Sequence, residues 1–128
     1  MKTTMLALAG ALSLIAAQAS AADVKGEIVT AETHAGLAAK ATAIDGVHMH
    51  LHHTLNCLAG PNGAGYDAKQ MNPCANSGNG AIPDTTDAAK KKSLEAAAAK
   101  AASGIAATDL AAAQKAASET EAMLKAAE

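Results

Sequence analysis

The chain has 128 residues, enough for one domain, and 10 basic against 12 acidic side chains, a formal net charge of −2. It has no arginine and only one short run of lysines, which argues against nucleic acid as a partner because phosphate recognition relies on arginine and clustered positive charge. Phe and Trp are absent and Tyr occurs once, so an alanine-based core buries little apolar area. We therefore expect a cross-link, a bound metal or a partner subunit such as a second copy to add stability.

Residues 1–21 have the pattern of a secretory signal peptide. Lys2 gives a basic start, an apolar run follows over 5–17, and small residues stand at the −3 and −1 positions of a cleavage site after Ala21. A membrane anchor is the lesser alternative, because the apolar run is shorter than the roughly 20 residues that a span needs. Residues 22–128 are therefore expected to form a single small domain, periplasmic or secreted, that is not held in the membrane after cleavage.

The stretch 27–58 predicts one long amphipathic helix, with a kink possible at Gly36 or Gly46. Its apolar residues recur at three- and four-residue spacing and project into a sector of about 80°. These residues are Leu37, Ile44, Val47, Leu51, Leu55 and Leu58. The pair Gly60-Pro61 then ends the helix.

Residues 59–83 predict a loop that is rich in Gly, Pro and Asn. Connections of about 25 residues without secondary structure are uncommon in compact domains unless something holds them. Cys57, at the end of the predicted helix, and Cys74, inside the loop, are the only two cysteines. In an oxidising compartment they are expected to form a disulfide, which would stabilise the fold by roughly 3 kcal/mol. A pair of thiolate metal ligands is the alternative.

Two further helices are predicted over 84–102 and 107–127. The run Asp84-Thr85-Thr86-Asp87 and the pair Thr108-Asp109 offer N-caps, and Ser103-Gly104 is expected to separate the helices unless the glycine is tolerated within one longer helix. The predicted fold is all-α: the long N-terminal helix packs with one or two C-terminal helices, as a three-helix bundle or a helical hairpin, around a disulfide-tied loop.

Four of the five histidines stand within 47–57, and on a helix they divide between two faces. One face holds Asp45, His48, Met49 and His52. The other face holds His50, His53 and Cys57. Since the leucine stripe lies on neither face, the core does not require these histidines, and a metal site explains the cluster better than a solvated surface does.

The first face predicts a copper site. His48 and His52 have the i,i+4 spacing by which two imidazoles on one helix share a metal. Thioether sulfur favours Cu(I), so Met49 joins this ligand set, and Met71 in the tied loop or a second subunit is a candidate to complete it.

Zinc bound by His48, His52 and Asp45 is the nearest rival. His34 projects to the same angle as His52 but lies about five turns away on the predicted helix, too far to share its ion. The second pair, His50 and His53, would allow a further ion. Covalent haem is disfavoured because no Cys-x-x-Cys-His motif is present.

On its leader, helical composition and the stretch Val47–Cys57, the chain resembles small exported bacterial His/Met-rich helical proteins that bind or buffer copper. The resemblance implies a periplasmic metal-binding protein that sequesters or delivers copper. A helical bundle that binds haem non-covalently and a structural protein without a cofactor are the alternatives. An enzyme is not expected, because no nucleophile stands beside a base in a recognisable pattern and no glycine loop suited to phosphate precedes a helix.

Overall fold

The structure is a computed structural model that describes residues 21–128. The signal-peptide prediction for 1–21 lies outside the described residues, apart from Ala21 itself. Within the described part of the chain, no helix is both long enough and apolar enough to cross a membrane.

The described residues form five helices and no strand, so the predicted all-α class is confirmed. The helices are α1 (Val24–Lys40), α2 (Ile44–Ala59), α3 (Ala81–Asp84), α4 (Ala88–Ala106) and α5 (Leu110–Ala127). The four long helices form a closed ring in which α1 packs on α2, α2 on α4, α4 on α5, and α5 on α1. The bundle therefore has four long helices, more than the sequence predicted.

The additional helix arises because the predicted helix over 27–58 is two helices in the structure. The chain reverses at residues 41–43, between the two glycines at which a kink was expected, and α2 packs back on α1. Leu37, assigned to the leucine stripe, is 45% exposed. The buried hydrophobic side chains of α1 are instead those of Ile28 and three alanines, which would on average project about 160° from Val47 and Leu51 on a continuous helix. One straight helix cannot bury both sets on one side, and the reversal resolves the conflict.

The connection from α2 to α4 is tied by a disulfide between Cys57 and Cys74, as predicted, with their Cα atoms 5.1 Å apart. Both cysteines are buried, at 0% and 2% exposure, so neither is available as a thiolate metal ligand. Asn56 also holds the loop, because its side-chain amide donates to the backbone oxygens of Asp67 and Met71, each at 3.0 Å. The short helix α3 occupies the last three residues of the predicted loop and the residue after it.

The two C-terminal helices begin at aspartate caps. The Asp87 carboxylate accepts from the Lys90 N–H at 2.8 Å, and the Asp109 carboxylate accepts from the Ala112 N–H at 2.8 Å. However, α4 continues through Gly104 to Ala106, and the break falls at residues 107–109. Gly104 is tolerated because it is buried where the helices come closest: an added Cβ would stand 2.6 Å from Leu51 Cδ1.

Candidate metal centre

The chain reversal brings one histidine of α1 against two histidines of α2. His34 lies in the second half of α1, and His50 and His53 lie one turn apart on the facing side of α2. Their ligand nitrogens, one from each ring, all lie within 4.8 Å of one another. Within residues 21–128, this is the one group of three or more His, Cys, Asp or Glu side chains close enough to share an ion.

The spacing of the rings suits a metal ion. His34 Nδ1 and His50 Nδ1 are 3.3 Å apart. Two nitrogens bound tetrahedrally at 2.0–2.1 Å from one ion would be separated by about 3.4 Å. The ring of His53 stands edge-on to both others, with centroid distances of 5.1 Å to His34 and 5.7 Å to His50. The three rings are thus in mutual contact without stacking in parallel, and one nitrogen of each lies within 4.8 Å of the others.

Burial favours the neutral, ligating form of two of these histidines. The pKa of His34 is lowered chiefly by burial and then by the nearby His53 and His50 rings. The pKa of His53 is lowered by the same burial effect and by His50 and His52. Metal ligation requires an unprotonated imidazole nitrogen, so both shifts prepare these rings to bind an ion near neutral pH.

A hydrogen bond behind the histidines holds the two helices in register. The buried Thr54 hydroxyl lies 3.2 Å from the backbone oxygen of Ala31 on α1 and 3.1 Å from that of His50 on its own helix. The Nδ1 atom of His53 is buried without a hydrogen-bond partner among the described residues. Buried polar atoms are usually paired, so this unpaired nitrogen is an exception among the described residues.

The ligand set predicted on the other face of α2 is dispersed. His48 Nε2 lies 3.0 Å from the backbone oxygen of Ala107, so this imidazole ties α2 to the turn between α4 and α5. His52 Nδ1 lies 3.8 Å from a carboxylate oxygen of Asp67, beyond hydrogen-bond distance. With Asp45, these two histidines do not form a three-ligand group among the described residues.

The two methionines predicted as ligands stand at the surface. Met49 is 41% exposed and Met71 is 61% exposed. His50 and His53, placed in the second candidate pair by the sequence, belong to the cluster that the structure assembles.

His34 is the candidate ligand that sequence reasoning missed, because the continuous helix placed it about five turns from His52. A signal for it was present in the sequence. Ile28 and three alanines recur at three- and four-residue spacing on a face out of phase with the apolar stripe after residue 46, a pattern that fits two helices, whereas Leu37 is in phase with that later stripe. A hairpin of two such helices places the second half of the first beside the start of the second.

A separate cavity of about 400 Å³ lies near the other end of α2 and contains none of the histidines. Its lining includes Ala59, Asn62, Ile82, Pro83 and Glu95.

Comparison of the chain with known protein families, curated proteins and solved structures finds no match. The histidine cluster is therefore the feature of the chain that points to a function.

Proposed function

We propose that this is an exported protein that binds one copper ion through His34, His50 and His53. The observation that supports it is the convergence of three imidazole nitrogens within 4.8 Å, contributed by two helices whose packing fixes their separation. The disulfide is compatible with an oxidising compartment such as the periplasm, where structural disulfides persist.

Copper is preferred over zinc on the chemistry of the ligands. Imidazole suits copper, zinc and nickel, and among divalent first-row ions the affinity of such a site peaks at copper. Neither Met49 nor Met71 belongs to the cluster, so the three imidazoles favour Cu(II), in place of the Cu(I) that thioether ligands would favour. Zinc is the rival ion, and direct competition between the two separates them.

Sequestration or delivery is the role that fits such a site. His34 and His50 are only half-buried, so an ion bound to them is within reach of solvent and of an acceptor. No carboxylate belongs to the cluster, and its three imidazoles can ligate as neutral groups.

The test is Cu(II) and Zn(II) titration of the disulfide-bonded protein, with stoichiometry from elemental analysis and affinity from competition with a chelator. His34→Ala and His53→Ala each remove one of three ligands and are expected to lower affinity at least about 100-fold, since even outer-shell partners contribute 10–100-fold. The matched control is the double variant His48→Ala/His52→Ala, which alters the same helix outside the cluster and is expected to retain binding.

Two results would contradict this assignment. If the control variant lost copper binding and His34→Ala kept it, the site would lie on the face of α2 that carries His48 and His52. Wild-type protein that takes up neither ion, with a melting temperature unchanged on titration, would remove the function altogether.

A further inference from the structure

The three histidines leave a tetrahedral ion one ligand short. No carboxylate or further histidine among residues 21–128 joins the cluster. The nearby hydroxyl of Thr54 is engaged by two backbone oxygens, and Cys57 is held in the disulfide. Closed structural metal sites have four protein ligands, whereas sites with three protein ligands keep a position for water or an exogenous molecule.

Met49 is the neighbouring sulfur ligand to consider, and its side chain is exposed. It stands one position before His50 and one turn before His53 on α2. Side chains four residues apart on an α-helix can meet, so the exposure of Met49, and not its spacing, is what separates its thioether from the cluster. Its 41% exposure agrees with a side chain extending into solvent.

One side of the cluster is partly exposed to water. His53 is 5% exposed and closes the inner side, whereas His34 and His50 are half-buried and reach the surface. Three neutral imidazoles leave the charge of a divalent ion uncompensated. Asp67 does not supply the missing negative charge, because its carboxylate faces His52, outside the cluster. A charged ion with one open, partly desolvated position favours an anionic fourth ligand.

On the basis of the proposed function, we infer that a divalent ion held by His34, His50 and His53 keeps an open coordination position that binds a small monoanion from solution. The site is then a Lewis-acid centre with an exchangeable ligand. It differs in this respect from a closed storage site, whose protein ligands would exclude other molecules.

The test is a visible-absorption titration of the Cu(II)-loaded protein with sodium azide, with sodium perchlorate at equal ionic strength as the control. A saturable new band at one azide per bound copper, absent with perchlorate and absent from copper-free protein, is expected. Copper loading is measured first, so a chain that binds no copper fails the proposed function. A chain that binds copper but gives no azide band overturns this inference alone.

Two variants sharpen the result. Leu37 stands one turn after His34, is 45% exposed and leans back over that turn. Leu37→His therefore supplies a fourth imidazole and is expected to abolish the azide band while copper is retained. Met49→Leu is expected to leave the band unchanged. An azide band that appears only in Met49→Leu would mean that the thioether fills the position in the wild type, which would overturn the inference.

Discussion

Glu27 has a carboxyl group that folding removes entirely from water. The residue is 0% exposed, Oε1 accepts from the Gly80 N–H at 2.9 Å, and Oε2 has no hydrogen-bond partner among the described residues. Burial raises the pKa of Glu27, Asp84 and Asp23 add to the rise, and the Gly80 N–H opposes it. Because the pKa of Glu27 is higher in the folded than in the unfolded state, its contribution to stability is complete at pH below the unfolded-state pKa. That contribution is lost as pH rises through the folded-state pKa.

Glu27→Gln is expected to remove this pH dependence. The amide oxygen can still accept from Gly80, but no charge is buried at neutral pH. The variant should therefore gain stability relative to wild type as pH rises from about 4 to 8, and the gain should disappear at the acid end. Urea midpoints across this range measure it. Glu95→Gln, at an exposed position of α4, is the control, and equal behaviour of the two variants would contradict the assignment to burial.

At the scale of the helices, Gly104 marks the closest approach of α4 to its neighbours. An added Cβ would stand 2.6 Å from Leu51 Cδ1 and 3.1 Å from the Cβ of Ala116 on α5. The leucine end can move, whereas the Ala116 Cβ moves only with its backbone. Close packing, and not helix propensity, therefore explains a glycine in the middle of a helix.

Gly104→Ala is expected to lower the free energy of unfolding by about 1–3 kcal/mol, the usual cost of overpacking a core, although alanine is the better helix former. Chemical denaturation provides the measurement. The matched substitution Gly46→Ala meets only Ala41 Cβ at 3.3 Å, and it should be neutral or stabilising by up to about 1 kcal/mol. Stabilisation by both substitutions would refute the packing explanation.

Helical content and two helix starts could be predicted because their causes are local. Alanine-rich composition favours helix, and aspartates such as Asp87 and Asp109 cap helices wherever they precede one. The reversal at residues 41–43 has no such local cause, because it contains neither Gly nor Pro and Ala43 caps α2 without a side-chain hydrogen bond. Tertiary packing selects the break, and the position of His34 in the site follows from it.

At the scale of the whole molecule, the disulfide fastens the long connection to the bundle. It joins residues 17 apart in sequence and is buried with Ile28, Leu58 and Leu94. The residue types sufficed to predict it, because the only two cysteines of a chain have one possible intramolecular pairing.

Cys57→Ala/Cys74→Ala is expected to lower the free energy of unfolding by about 3 kcal/mol, because the unfolded chain regains the freedom that the cross-link removes. Denaturation of the folded variant measures the loss. Copper affinity below the melting transition should be unchanged, since the ligands are held by α1 and α2 and not by the loop. A fall in affinity as large as that of His53→Ala would mean that the loop orders the site.

The reversal at residues 41–43 makes the histidine cluster a contact between helices that are adjacent in sequence. His34 and His50 are 16 residues apart, whereas the contact between Gly36 and Glu121 joins the first long helix to the last. Short-range contacts form faster than distant ones, and closing a loop of about 10 residues takes tens of nanoseconds. The α1–α2 hairpin, which brings the three histidines together, can therefore form before the contacts of α1 with α5 do.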